Sequence, residues 1–597
     1  MECKRVISIF FFLLAVFFSS ATFSEISPKK IERLKWWEVS SNNFTIISNG
    51  GKKRAVDLLR ELEKFRSVVE SFTNVRLAKD DRPLTVFAVK GNTAYSALME
   101  SIDSYKSFGG MYFERLEGDY AVVKLSNKKR SIEILFHEYV HYLTFLNPNV
   151  VIPYWYQEGI AVYLSLVTFD SKYVHLGQPD PGRLYQLNNM GWMPIEELLK
   201  KKFVKDKESD EFHQIYSQSW LFIHYLASNE ERKQQLTNFL LYQKQGLNVD
   251  TSFRSAFGVE YEEMDRVLTD YRRRRGFTYY KLPLDQELKD ISVGVERLSK
   301  SASLVHVGRF LSQVVRQNEK ATRYFTLASE REETNAAAYA GMAYSVFRDD
   351  ILAASEYAAT GMEVGRTDIW VNYIYGKVEI ARLKEVYGER LDGAPTKELN
   401  NVVRSLQIAM EGNEYIPALV ELADLYWALG TNQQVLALLE SASSYMPASF
   451  DINERLVRTY VREGRINDAY KIVDRMLNKA HINDKQKESI GGWVSDVMKD
   501  VPKRSPKSVT SVFESQKESI FENLKAWMEN SDLAMAEVFI SGVIASNGTF
   551  NNVRVYKSDF DNSDIISEVI EMLSSLDFGK QEVKETPLRY KFIVRPN

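Results

Sequence analysis

The chain reads as a multidomain protein: an α+β domain, then an all-α repeat solenoid, then a small α+β domain toward its C-terminal end. Three observations predict this. Strand and helix patterns mix in the first half, a 34-residue spacing of Leu, Tyr and Gly recurs in the second, and strand alternation returns near the end. With 597 residues, the chain is far longer than one hydrophobic core serves, so three or four domains are expected. The expected boundaries are a leader over 1–21, then domains over 30–280, 300–495 and 525–597.

Charge narrows the choice of partners. Against 80 acidic residues stand 77 basic ones, a net charge of −3, which provides no electrostatic basis for binding nucleic acid or an anionic membrane surface. Lys4 and Arg5 precede an apolar run from Val6 to Phe18, followed by Ser19, Ser20 and Ala21. That order is a secretory signal. The run is short of the roughly 20 residues a spanning helix needs, which favours cleavage over a retained anchor. Cleavage is expected after Ala21, with Ser24 as the alternative. The only cysteine, Cys3, lies in this leader, so the mature chain is expected to lack disulfides and thiol nucleophiles. No later stretch is apolar enough to span a bilayer, and the mature chain is expected to be exported, to the periplasm or the extracellular space.

The first domain opens with a short strand at Phe44–Ile47. Leu58, Leu59, Leu62, Phe65, Val68 and Val69 then repeat at helical spacing, and Leu84–Val89 reads as a buried strand between Pro83 and Gly91. Gly109–Tyr112 and Tyr120–Val123 predict a strand pair turned at Glu117-Gly118-Asp119, and helices follow from Ser131 to about Arg275. The expectation is a mixed sheet ahead of its helices.

Ile132 to Leu146 reads as an apolar helix containing His137-Glu138-Tyr139-Val140-His141. Two histidines four residues apart stand on one helical face, where their imidazoles can share a metal ion. Glu138 would lie beside the open coordination position, able to accept a proton from a bound water. Zinc needs a third protein ligand, and Glu158, 17 residues after His141, is the candidate. It sits in Pro153-Tyr154-Trp155-Tyr156-Gln157-Glu158-Gly159-Ile160-Ala161, where Pro153 suits a helix start and Gly159 allows close approach to the metal helix.

These two segments resemble the gluzincin metallopeptidases, and most closely the bacterial peptidase MA-like group, over about 35–275. The resemblance implies that His137, His141 and Glu158 ligate Zn2+ and that Glu138 is the general base. It also implies that the strand around Tyr120–Leu125 aligns substrate as an added strand. Gluzincins place a Tyr or His on a later helix to steady the oxyanion, and Tyr216 in His213-Gln214-Ile215-Tyr216 is the candidate, with a core tyrosine as the other reading. His213 and His224 read as surface or core residues, His213 being the lesser candidate for the cleft; His175, His306 and His481 read as structural or solvated.

Past a polar linker around Leu282–Ser301 the pattern is helical throughout. Leu422, Tyr426 and Gly430 recur as Leu456, Tyr460 and Gly464, and Ala442, Pro447 and Ala469 fall at matching places. Gly341, Tyr344, Ala353 and Tyr357 form an earlier unit, with weaker ones at Val307–Ala328 and Trp370–Ala409, the latter interrupted by Gly388–Thr396. The spacing resembles tetratricopeptide (TPR) repeats, four or five of them over about 302–480. A non-repetitive helical bundle is the alternative.

The end of the chain predicts a hairpin, Val538–Ala545 and Phe550–Tyr556, with a two-residue turn at Asn547-Gly548. A helix capped by Asp564 carries Ile565, Ile566, Val569, Ile570 and Leu573 on one face, and a final strand alternates Leu588, Tyr590, Phe592 and Val594. This resembles the C-terminal domain of TonB, without the uncleaved membrane helix and Pro-rich spacer that hold TonB.

The functional expectation is an exported zinc metallopeptidase acting on peptide or protein substrates. The repeats would offer a concave face to a protein partner, and the terminal sheet an edge to a partner's strand. Two alternatives belong to other classes: a cell-envelope TPR scaffold with a non-catalytic zinc site, and an envelope assembly factor. Glu138 separates the first from an enzyme, because a structural site has no use for a carboxylate beside an open position.

Overall fold

The computed structural model describes residues 27–73, 83–102, 109–145, 153–201, 204, 209–244, 247–274, 276–284, 291–411, 415–447, 449–477, 486, 488–493, 506–528, 536–545, 547–558, 563–579 and 586–594. The expected leader and His481 lie outside the described residues.

The first domain runs α1 (Pro28–Glu32), β1 (Trp37–Ser40), β2 (Phe44–Ser48), α2 (Lys52–Thr73), β3 (Leu84–Val89), α3 (Asn92–Met99), β4 (Gly110–Arg115), β5 (Gly118–Lys124), α4 (Lys128–Phe145) and α5 (Tyr154–Ser165). It continues with β6 (Thr168–Phe169), β7 (Tyr173–Leu176), α6 (Pro181–Asn189), α7 (Ile195–Lys200), α8 (Asp210–Leu226), α9 (Glu230–Lys244), α10 (Val249–Phe257), α11 (Tyr261–Arg272), β8 (Tyr280–Pro283) and β9 (Gly294–Arg297).

The mixed sheet has the order β4-β5-β3-β2-β1-β9. Its centre, β2, β3 and β5, is parallel; β4 on β5, and β1 between β2 and β9, are antiparallel. Both faces of the parallel strands are buried, which is why they read as unbroken apolar runs. Phe44, Ile46, Val86 and Val123 face α2 and α4, while Ile47, Phe87, Val89 and Val122 face α3 and the start of the repeats.

The linker expected over 282–301 contains two strands instead. β8 pairs with β7, and β9 extends the main sheet beside β1, pairing Trp37 with Arg297 and Ser40 with Gly294. Every residue of β9 is exposed, so it joins through its backbone and left no apolar signature. Helix α4 also starts earlier than its apolar residues suggest. The Asn127 side chain accepts from the Lys129 N–H at 3.0 Å and caps it, adding a polar first turn.

The helical region comprises α12 (Lys300–Arg309), which continues into a π turn at Phe310–Val314, then α13 (Asn318–Arg331), α14 (Ala336–Val346), α15 (Ile351–Val364) and α16 (Ile369–Tyr387). α17 (Thr396–Met410), α18 (Ile416–Ala428), α19 (Asn432–Tyr445), α20 (Phe450–Arg462) and α21 (Ile466–Leu477) make up, among the described residues, five helix pairs, each packed on the next. Gly430 and Gly464 close equivalent helices with φ of +76° and +73°, the left-handed geometry that explains their recurrence 34 residues apart. The stretch Gly388–Thr396 is no interruption: it connects α16 to α17 within one pair.

The last domain is α22 (Pro506–Met528), β10 (Ala536–Ile544), β11 (Phe550–Ser558), α23 (Ser563–Ser574) and β12 (Thr586–Val594), with sheet order β11-β10-β12. Val509, Phe513 and Ile520 of α22 share its core, so the domain begins before residue 525. The expected two-residue turn is longer, closed by Ala545 N–H to Thr549 C=O at 2.8 Å. Gly548, at φ +97°, turns its carbonyl to the Phe578 N–H, so the loop is shaped by the chain beyond α23. Among the described residues no helix is long and apolar enough to cross a membrane.

Candidate metal centre

Helix α4 has two unlike faces. Leu135, Phe136, Tyr139, Val140 and Leu143 are buried in the core, Phe136 stacking on Phe65 of α2 with ring centroids 3.8 Å apart. His137, Glu138 and His141 occupy the opposite, half-buried face. The two Nε2 atoms face each other at 3.0 Å, and Glu158 Oε2 from α5 lies 3.5 Å from each.

This triangle fits a metal ion. Ligand atoms about 2.0–2.1 Å from a tetrahedral zinc stand about 3.3 Å apart, close to all three edges. Glu158 is 6% exposed, and its Oε2 accepts no hydrogen bond. A buried acceptor without a donor is costly, and a bound cation would relieve that cost. Burial opposes ionisation of Glu158, but the adjacent imidazoles of His141 and His137 outweigh it and hold the carboxyl well below its usual range. Among the described residues no other cluster of His, Cys, Asp or Glu has this form.

Glu138 is placed differently from the three. Its Oε2 accepts the backbone N–H of Tyr112 in β4 at 3.0 Å, which leaves it beside the triangle and outside it. Two glycines make this reach possible. A Cβ on Gly109 or Gly110 would lie 2.3 or 2.5 Å from the Ile134 side chain, and one on Gly110 also 2.9 Å from the Val122 carbonyl, so glycine at these positions lets β4 lie against α4 without moving Ile134.

The expected substrate strand is not available. β5, which contains Tyr120–Lys124, is paired on both sides, to β4 and β3. The sheet edge nearest the metal site is β4. A sequence signal for this existed: Ala121-Val122-Val123 is apolar on both faces, as an interior strand is, whereas β4 ends in Glu114-Arg115.

Gly159 also works differently from expectation. Its missing side chain faces α8, where a Cβ would sit 2.7 Å from the Ser219 carbonyl. That contact brings α8 against α5 and sets Tyr216 beside the centre, its ring stacked on His137 at 5.9 Å. Burial, then the Glu158 charge, pushes the Tyr216 phenol well up, so it remains a hydrogen-bond donor.

A cleft of about 740 Å³ opens on these groups, walled by Gly109–Tyr112 on one side and by Gly182, Arg183, Phe212, His213 and Tyr216 on the other. His213 is exposed, as its surface reading expected, and borders the cleft. His224 is a core residue bonded to Tyr271 Oη and the Gly177 carbonyl at 2.9 and 2.8 Å. His175 pairs with Asp170 and His306 with Glu38. Arg183 was not anticipated; nothing in its spacing ties α6 to the metal helix, and tertiary packing alone brings it here.

No protein-family model matches the chain, and no curated protein matches it. Among the solved structures that match are the following two. A thermophilic TPR protein of Thermus thermophilus is 15% identical, covering 33% of this chain and 99% of its own, at a TM-score of 0.28. Yeast Tom70 is 13% identical, covering 66% of this chain and 90% of its own, at 0.22. At these scores neither bears on this chain, whose repeat character rests on its own five helix pairs and their spacing.

Proposed function

We propose that this chain is an exported zinc-dependent peptidase, with His137, His141 and Glu158 as the metal ligands and Glu138 as the general base. One observation carries the reading: a carboxylate stands next to a complete three-ligand triangle without joining it, fixed by a backbone N–H on a sheet edge. Bound zinc would supply a water acidified toward pH 7 and an electrophile for the peptide carbonyl.

The chain's own groups supply the remaining steps. Glu138 takes the proton of the attacking water and delivers it to the leaving amine. The Tyr216 phenol, held protonated, donates to the oxygen that gains charge. Gly110 shares with Tyr112 the outward edge of β4, along which an extended peptide can lie as an added strand. Residues of α6 and α8 wall the cleft in which a substrate would lie.

A scaffold with a non-catalytic site makes the opposite demand on Glu138. The deciding experiment compares Glu138→Gln with Glu158→Gln for zinc content and for cleavage of a quenched fluorogenic peptide library. Glu138→Gln should keep its zinc and lose a factor of about 10² to 10⁴ in rate. Glu158→Gln should weaken zinc binding and activity together. Full cleavage by Glu138→Gln would remove Glu138 as the base, and a wild type that binds zinc but cleaves no peptide would leave the scaffold reading in place.

A further inference from the structure

The repeat array does not present an empty inner face. Helices α12, α14, α16 and α18 stand side by side along it, and the β4–β5 hairpin of the first domain reaches into them. Phe113 and Tyr120 pack edge-on against Phe310, with centroids 5.6 and 6.0 Å away. Arg115 Nε donates to the Val314 carbonyl at 2.9 Å. At the tip, Leu116 packs against the apolar cluster of α18–α21, and Tyr344 Oη of α14 donates to Glu117 Oε1 at 3.1 Å.

We infer that the repeat groove holds this hairpin as a tethered ligand, and that Leu116 and Glu117 are positioning residues for Glu138. The inference rests on the reading of Glu138 as the general base. The connection is short. Tyr112, whose N–H holds Glu138, is three residues from Arg115 on the same strand. Among the described residues β4 has a strand neighbour on one side only, and edge strands open more readily than interior ones. The repeats therefore supply the second anchor that its missing neighbour would have provided. A base moved by about 1 Å can lose about 10²-fold in rate, so an anchor at the hairpin tip governs the chemistry at its base.

The test uses the full chain carrying Leu116→Ala with Tyr344→Phe, and each change singly. In the metal-free protein, amide hydrogen exchange over residues 109–116 should quicken about tenfold in the double variant, while β3 and α4 stay at wild-type rates. Glu117→Gln, which still accepts from Tyr344, should behave as wild type, and Glu117→Ala should not. After zinc is restored, kcat on a quenched fluorogenic peptide that the wild type cleaves should fall about tenfold, with KM and zinc content unchanged. Unaltered exchange over 109–116, or faster exchange with unaltered kcat, would overturn the inference. Faster exchange throughout the first domain, in Tyr344→Phe as well as the double variant, would also overturn it. A wild type that cleaves no peptide, with exchange responding as expected, sinks the peptidase reading and upholds the seating of the hairpin.

Discussion

One face of the six-stranded sheet is covered by α2 and α4, which follow their strands closely in the chain; the other is covered by α3 and by helices that begin some two hundred residues later. Both are equally dry. Phe44 and Ile46 on the first face, and Ile47 and Phe87 on the second, are at most 1% exposed. The first face carries the candidate metal site, whose residues His137, His141 and Glu158 lie within 22 residues of each other. The second carries contacts such as Arg115 to Val314 and Glu117 to Tyr344, spanning 199 and 227 residues. The residues of the candidate site are thus neighbours in sequence, while the second face is closed by a distant segment.

This contrast can be broken on either face, and the largest effect belongs to the first. His141→Ala leaves two ligands and should lose most of its zinc at stoichiometric metal, with the helix content by circular dichroism unchanged. Retention of full zinc in that variant would place the metal elsewhere.

The second face should respond in stability and leave the metal in place. Phe310 touches Phe87, Phe113 and Tyr120 and is fully buried. Phe310→Ala should cost about 3–5 kcal/mol by truncation in a packed core. The check is the urea midpoint, read beside zinc content, which should hold. Were zinc lost as readily as in His141→Ala, the two faces would not be separable in the way the contacts imply.

Gly159→Ala sharpens the local side. The new methyl would meet a backbone carbonyl, which cannot swing aside, so α8 must shift at a cost of about 1–3 kcal/mol. Thermal unfolding should show that loss, and Tyr216 should stack less closely on His137 in a structure of the variant.

The smallest effect concerns pH. Burial pushes the His224 pKa down, so the unfolded chain takes up this proton first. Its neutral, doubly bonded form contributes stability that is complete above about pH 6.5 and is lost as the pH falls below it. The slope should be on the order of 1 kcal/mol per pH unit, flattened in His224→Gln. Equal slopes in the two proteins would show that another group titrates there.

Much of this was legible in the residues. The unbroken run Leu84–Val89 announced a strand buried on both faces, and the repeated glycines at 430 and 464 announced the helix ends of a repeat. Two features that left no signal in the sequence share one property. β9 has no buried side chain, and Glu138 is held by a main-chain N–H at Tyr112; both join through backbone groups that every residue possesses. Gly159 was assigned to the wrong neighbour because a glycine marks a close approach without naming what approaches.

The sequence by itself determined that His137 and His141 share a helical face with Glu138 beside them, because 3.6 residues per turn follows from local backbone hydrogen bonding. It determined also the helix pairs of the repeat, through apolar spacing that recurs unit by unit. Only the tertiary structure decided that β4 is the edge strand and that α8 brings Tyr216 to His137. It alone seated Leu116 and Glu117 in the repeat groove. Those outcomes depend on which surfaces bury one another across hundreds of residues, and burial is set by complementary shape summed over whole elements, which no local spacing records.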